Sequence, residues 1–284
     1  MMQEETWKPN KWAAAALSFL APPLGMLYIS KARLAVTYLF IMVGIALLQF
    51  WLIAKGYGIP LSLVFLVVAV IHTYRIAARA PKINSRPWYS SWYGLLVVTL
   101  VLVVSVILFR AFLFEPFRLP TQSMFPSIPR GSYVVVKKLG YGNYASYGIR
   151  VARTEVSTPF TRGDVLVFEF PLDRNISFVK RLIGLPGDHI EYRDKHLFVN
   201  GKPLSVSPIR SQGQFEIAQE EDYLIANEND APPKDFDIKV KPGHLFVLGD
   251  NRDNSNDSRH WGQVPYNHVV GKVALILRND QSEQ

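Results

Sequence analysis

Four stretches of the 284-residue chain carry no charged side chain: Trp12–Ser30, Leu34–Ala54, Gly56–Tyr74 and Trp88–Phe109. No other feature limits the fold so strongly. A helix needs about 20 mostly apolar residues to cross a bilayer, and in hydrocarbon its backbone polar groups must be satisfied within the segment. The second and fourth stretches meet this demand, the fourth with LLVVTLVLVVSVILF. The third meets it as well, with His72 near its end. The first holds Pro22-Pro23 and Gly25, which interrupt helical hydrogen bonding. It fits a bent span, a re-entrant hairpin or an interfacial helix. A cleavable leader fits it poorly, because another apolar run follows after only SKAR.

Positive residues in short loops stay on the cytoplasmic side and so orient the helices. Lys31 and Arg33 separate the first two stretches, Lys55 stands alone after the second, and Arg75, Arg79, Lys82 and Arg86 precede the fourth. The alternation reads inside, outside, inside, so the fourth helix exits outward and everything after Phe114 is expected to be extracytoplasmic. Trp88, Trp92 and Tyr93 suit an interfacial anchor. Glu4 and Glu5 set against Lys8 and Lys11 leave the side of the N-terminus open. The expected organisation is an N-terminal membrane region over 1–91, a transmembrane helix over 92–114 and an extracytoplasmic domain over 115–284.

Beyond Phe114 the helical period gives way to short β-branched and aromatic runs: SYVVVKK, DVLVFEF, ISFVKRLIG, HIEY, HLFVNG, HLFVLGD and GKVALIL. Turn signals separate them. Leu185-Pro186-Gly187-Asp188 suits a type II turn, Arg193-Asp194-Lys195 can close a hairpin, and Asn200-Gly201 is a further turn signal. Continuously apolar VLVF and LFVL point to burial on both faces. The expectation is a mainly antiparallel β domain, with 139–162 and 205–240 as less regular excursions. No cysteine is present, which excludes disulfides and thiolate nucleophiles. The net charge of +8 is scattered and shows no basic stripe, so nucleic acid is not an expected partner.

LPTQSMFPSIPRG, residues 119–131, places Ser123 in a proline-bounded loop just after the last apolar stretch. A serine needs a neighbouring base to become a nucleophile. His189, His196, His244, His260 and His268 are available for a triad, but none has a distinguishing context. Lys180, in SFVKRLI, shares a strand face with Phe178 and Leu182, while Arg181 turns the other way with Val179 and Ile183. Such a lysine either snorkels to solvent or is buried, and burial lowers its pKa and frees a neutral amine to act as a base.

PTQSMFPSI, RGDVLVFEFP, VKRLIGLPGD and GDNRDNSNDSR, in that order over roughly residues 95–278, resemble the bacterial type I signal peptidases. These are Ser-Lys endopeptidases with an all-β catalytic domain that remove signal peptides from exported preproteins. The resemblance implies Ser123 as nucleophile and Lys180 as general base. It implies an oxyanion hole from the Ser123 N–H and the Thr121 hydroxyl, with threonine standing where serine is more usual. It further implies that Ser255 orients the lysine amine, that Asp250, Asp257 and Arg259 support the site, and that Phe117, Leu119, Ile128 and Val179 line pockets for small residues. Met124 and Phe125 would extend an apolar surface towards lipid. No metal or organic cofactor is implied. The implied partners are preprotein signal peptides and membrane lipid, with room for association with the secretion machinery. The implied location is the bacterial inner membrane, multi-pass, with a periplasmic catalytic face. GDNRDNSNDSR does not suit a calcium loop: counted from Asp253, the glycine position is Ser258 and the bidentate-acid position is Val264.

The family usually has one or two N-terminal spans, and this chain has three or four candidates. A protease dedicated to one secreted substrate is the neighbouring alternative. A scaffold with a dead protease fold is a different class, and the joint presence of Ser123, Lys180 and Ser255 argues against it. A transport role is weak, since no charged residue occupies the middle of a span.

Overall fold

The computed structural model describes residues 6–146, 149–232 and 235–278. Glu4, Glu5 and the last six residues lie outside them. The chain divides within its fifth helix into two compact units, Met1–Val106 and Ile107–Gln284.

In the first unit, α1 (Lys11–Leu20) and α2 (Pro22–Tyr28) split the first apolar stretch. Ala21 between them is extended, at φ −158° and ψ 120°, and the two prolines sit in the first turn of α2, where their missing N–H groups cost nothing. Neither piece is long enough to span. α3 (Ala32–Ala54) and α4 (Leu61–Arg79) follow, and α5 (Trp92–Phe112) leads into the second unit. These three are long and apolar enough to cross a membrane, with mean hydropathies of 2.2, 1.9 and 2.8. α4 begins later than the charge-free stretch because Gly56, Gly58 and Pro60 delay it. α1 packs on α4 through small buried residues, Ala14 and Ser18 against Ala69, Thr73 and Ala77, and Thr73 Oγ1 donates to Ser18 Oγ at 3.1 Å. A Cβ on Gly25 would lie 2.6 Å from that of Ser18, so only glycine allows α2 this close to α1.

The second unit is strand-rich. β1 (Phe114–Arg118) and β2 (Tyr133–Lys137) flank the Ser123 loop. The hairpin of β3 (Asn143–Ser146) and β4 (Ile149–Arg153) comes next, then β5 (Val165–Phe170) and the long β6 (Asp173–Gly184). β7 (His189–Arg193), β8 (His196–Val199) and β9 (Lys202–Pro203) form one meander. β10 (Val206–Gln212), β11 (Phe215–Glu220) and β12 (Tyr223–Glu228) form another. β13 (Phe236–Lys239) and β14 (His244–Leu248) precede the polar loop, and α6 (Ser258–Trp261), β15 (Val264–Pro265) and β16 (Val269–Leu277) follow it.

Seven strands make the main antiparallel sheet, in the order β1-β2-β16-β5-β6-β14-β15. As the continuous apolar runs require, β5 and β14 are buried on both faces. Val165 and Val167 enter one core cluster and Leu166 and Phe168 a second, while Leu245 and Val247 join the second and Phe246 and Leu248 a third. The expected turns form: Asp188 N–H donates to the Leu185 carbonyl at 3.0 Å with Gly187 at φ 90°, and Asp194 and Lys195 both take the left-handed conformation that closes a tight hairpin. The two expected excursions are more regular than their sequences suggest. Residues 206–228 form a three-stranded antiparallel sheet, and β3–β4 is a paired hairpin. β10 is almost wholly exposed, so it has no apolar alternation to betray it.

Candidate active site

The site is built on β6, the loop after β1, and the polar loop after β14. On β6, Lys180 pairs with Leu166 and Arg181 with Val165 of β5. Arg181 is tied down by a bidentate ion pair: Nε and Nη2 donate to the Asp250 carboxylate at 2.7 and 2.6 Å. Its Nη1 donates to the Gly163 carbonyl at 2.6 Å, and its guanidinium sits 4.0 Å from the Tyr223 ring centroid. Because neighbouring residues of a strand face opposite ways, fixing Arg181 on one face fixes Lys180 on the other.

Lys180 is 4% exposed. The burial alternative therefore holds over snorkelling. Its Nζ lies 2.6 Å from Ser123 Oγ. Burial pushes its pKa down to about 8 (the Arg259 charge adds to this), against an opposing pull from the Asp257 and Asp250 carboxylates. The Thr121 hydroxyl lies 3.3 Å from Ser123 Oγ, and among the described residues the Ser123 N–H has no acceptor.

The polar loop clamps the backbone that carries Ser123. Asn251 is fully buried; its N–H donates to the Ser123 carbonyl at 3.1 Å and its Nδ2 to the Gln122 carbonyl at 3.3 Å. Gly249 passes so close that an added Cβ would stand 2.5 Å from the Ser123 carbonyl oxygen and 2.2 Å from Ser255 Oγ. Asp257 holds the loop's two ends together. It accepts from the Gly249 N–H at 3.0 Å and takes Arg259 in a bidentate pair, both bonds 2.8 Å. Burial alone would raise the Asp257 pKa, but the hydrogen bonds and charge of Arg259, with the Gly249 N–H, outweigh it and keep the carboxyl below its usual range. Arg252 is buried against Glu220 of β11, which also accepts from the Tyr223 hydroxyl at 2.7 Å. Ser255 is placed differently from the expectation. Its Oγ is buried and makes no hydrogen bond to Lys180; it stands instead by the Asp257 carboxylate, which it helps to hold below its usual range.

A cleft of about 550 Å³ runs past Ser123 and Lys180. Phe117, Leu119 and Val179 line it, as expected, together with Phe178 and Ile176. Ile128 does not: it is fully buried in the core beneath, alongside Leu119 and Val134. Met124 is likewise fully buried in that core and does not extend an outer apolar surface. Phe125 packs on Phe215, with ring centroids 5.5 Å apart. Among the described residues no histidine lines the cleft or hydrogen-bonds to Ser123, so the geometry favours Lys180 over a triad. β14 reaches β6 only at Arg181, Leu182 and Gly184, so the preceding residues of β6 pair with β5 on one side and leave the cleft side open. Sequence reasoning missed Arg181 and Asn251. Arg181 sits beside a candidate base in a strand, and Asn251 lies inside the eleven-residue polar string; those positions were the only available signals.

A family model described as signal peptidase, peptidase S26, matches residues 91–278. The signal peptidase I of Pseudomonas fluorescens is 38% identical over 226 residues, covering 69% of this chain and 74% of that protein. The signal peptidase I of Pseudomonas aeruginosa is 35% identical over 225 residues, with the same coverages. A crystal structure of a signal peptidase I from Enterococcus faecalis shares 31% identity over 41% of this chain and 98% of that one, with a TM-score of 0.32. The matched span contains the whole constellation around Ser123, and the chain belongs to the signal peptidase family, peptidase S26, a family of serine endopeptidases.

Proposed function

We propose that Ser123 and Lys180 form the catalytic dyad of a membrane-bound type I signal peptidase that removes signal peptides from exported preproteins. The observation that carries this reading is the buried amine of Lys180, 2.6 Å from Ser123 Oγ and depressed in pKa. In its neutral form the amine accepts the hydroxyl proton as Oγ attacks the scissile carbonyl carbon. The Ser123 N–H and the Thr121 hydroxyl donate to the oxyanion. The intermediate then expels the new N-terminal amine, which takes its proton from the Lys180 ammonium, and an acyl-enzyme remains. Lys180 next deprotonates a water that attacks the ester, and the signal peptide leaves with a free carboxylate. Ser255 supports the site through the same loop, its buried hydroxyl beside the Asp257 carboxylate. Asp250, Asp257 and Arg259 hold the loop and strand in register.

The open side of β6 suits an extended peptide, which would add as a strand and place alternate side chains against Phe117, Leu119 and Val179. Small residues at the A-x-A positions of a signal peptide suit such a shallow apolar surface. The distribution of positive loop residues supports a multi-pass protein with its catalytic unit on the periplasmic face. The ten residues of α1 rise only about 15 Å, half a hydrocarbon core, so the N-terminal segment stays on the cytoplasmic side with Lys31 and Arg33.

Ser123→Ala and Lys180→Ala should each abolish cleavage of a preprotein while the protein stays folded and inserted. Normal cleavage by either variant would remove the dyad assignment.

A further inference from the structure

We propose that Arg118 and Arg130 select substrates bearing a carboxylate side chain close to the scissile bond, held in a recess adjoining the Ser123–Lys180 cleft. The proposal rests on the reading of that cleft as the peptide site.

The recess has a volume of about 330 Å³ and is walled by Arg118, Pro120, Arg130 and Gly131. The first three also line the cleft itself, so the two spaces share a wall. Arg118 ends β1, and Arg130 is brought beside it because the Gly131 N–H donates to the Leu119 carbonyl at 2.7 Å and the Leu119 N–H to the Ser132 carbonyl at 2.9 Å. Both side chains are exposed. Arg118 stacks loosely near Tyr133, 6.0 Å from its ring centroid. Among the described residues neither guanidinium makes an ion pair or a side-chain hydrogen bond. The buried and half-buried arginines of this unit contrast with them: Arg110, Arg181, Arg252 and Arg259 each hold a carboxylate.

Among the described residues no carboxylate lines either space, while Arg118, Arg130 and Lys180 do. Two forked donors without an acceptor, on the wall of a peptide cleft, match a planar carboxylate in charge and geometry. An aspartate or glutamate on the bound segment supplies it. An anionic lipid headgroup offers similar chemistry from a different source, and the test separates the two.

The full-length enzyme in phosphatidylcholine vesicles is given preproteins in which one Asp is moved position by position through the segment flanking the scissile bond, each paired with its Asn counterpart. At one position the Asp substrate should show a kcat/KM about three- to tenfold higher at low salt, an advantage that fades as salt screens it. The ratio should fall to about one in the Arg118→Gln, Arg130→Gln double variant, and turn to favour Lys over Asp in the Arg118→Glu, Arg130→Glu variant. The ratio is internal to each variant, so a general loss of activity does not mimic the effect. A wild-type ratio near one at every position, or a ratio the variants leave unchanged, overturns the proposal. So does a variant defect that appears only in phosphatidylglycerol vesicles and is equal for Asp and Asn substrates, which assigns the arginines to lipid. Failure of Ser123→Ala to abolish cleavage of the Asn substrates strikes the dyad reading instead, independently of the ratio.

Discussion

Raising the pH should switch this enzyme on through one proton, with the midpoint of kcat/KM near the Lys180 value of about 8. At pH 7 a lysine of pKa 8 is neutral in about one molecule in ten. At the ordinary value of 10.5 the fraction would be about one in three thousand. Burial therefore supplies a factor of about 300 in active base, with no other change to the site. The same depression, from 10.5 to about 8, corresponds to about 3 kcal/mol against the folded state at neutral pH. The sign follows from linkage. Between about pH 8 and 10.5 the unfolded chain holds the Lys180 proton and the folded one does not, so stability rises with pH across that window. Below 8 both states hold it and the penalty is present in full. Lys180→Met should therefore be inactive yet more stable than the parent at pH 7, and the difference should shrink as the pH approaches 10.5. The assay pairs a kcat/KM profile on a preprotein with thermal unfolding of both proteins over the same range. An inflection near 6.5, a flat profile between pH 6 and 9, or a Lys180→Met variant less stable at pH 7 would refute the reasoning.

Two further outcomes test the surrounding architecture. Gly249→Ala forces a Cβ to within 2.5 Å of the Ser123 carbonyl oxygen, a backbone atom that cannot swing aside. It should cost about 1–3 kcal/mol in chemical unfolding and about 100-fold in cleavage rate, because the nucleophile is displaced. A reporter fused after Gln284 should be active outside the cytoplasm, and cytoplasmic reporter activity would reverse the proposed orientation.

The parts of this molecule legible in the sequence are those where a periodic pattern meets a solvent boundary. The three spanning-length helices follow from uncharged runs. β5 and β14 follow from apolar runs too short to be helices, and Lys180 stands out as a cation on an apolar strand face. What the sequence hides is of another kind. Arg181 and Asp250 are 69 positions apart, and nothing local marks them as partners. Met124 and Ile128 lie in a loop without period, so nothing in their spacing tells pocket from core. β10 faces solvent along nearly its whole length, and its strand character comes from β11 alone. Ser255 matches the family by its place in the polar string, but nothing in that string tells whether its hydroxyl faces Lys180 or Asp257.

The Glu220–Arg252 pair bears on any attempt to shorten this protein. Glu220 belongs to the β10–β12 sheet, which looks like a detachable ornament in the chain order, while Arg252 belongs to the loop that clamps Ser123. Both side chains are fully buried. Excising residues 206–228 would leave a guanidinium stranded in a low-dielectric interior, where a lone charge is far costlier than a missing contact. A trimmed enzyme would therefore need Arg252 replaced by an apolar residue of similar bulk in the same step. The ornament and the clamp can only be edited together.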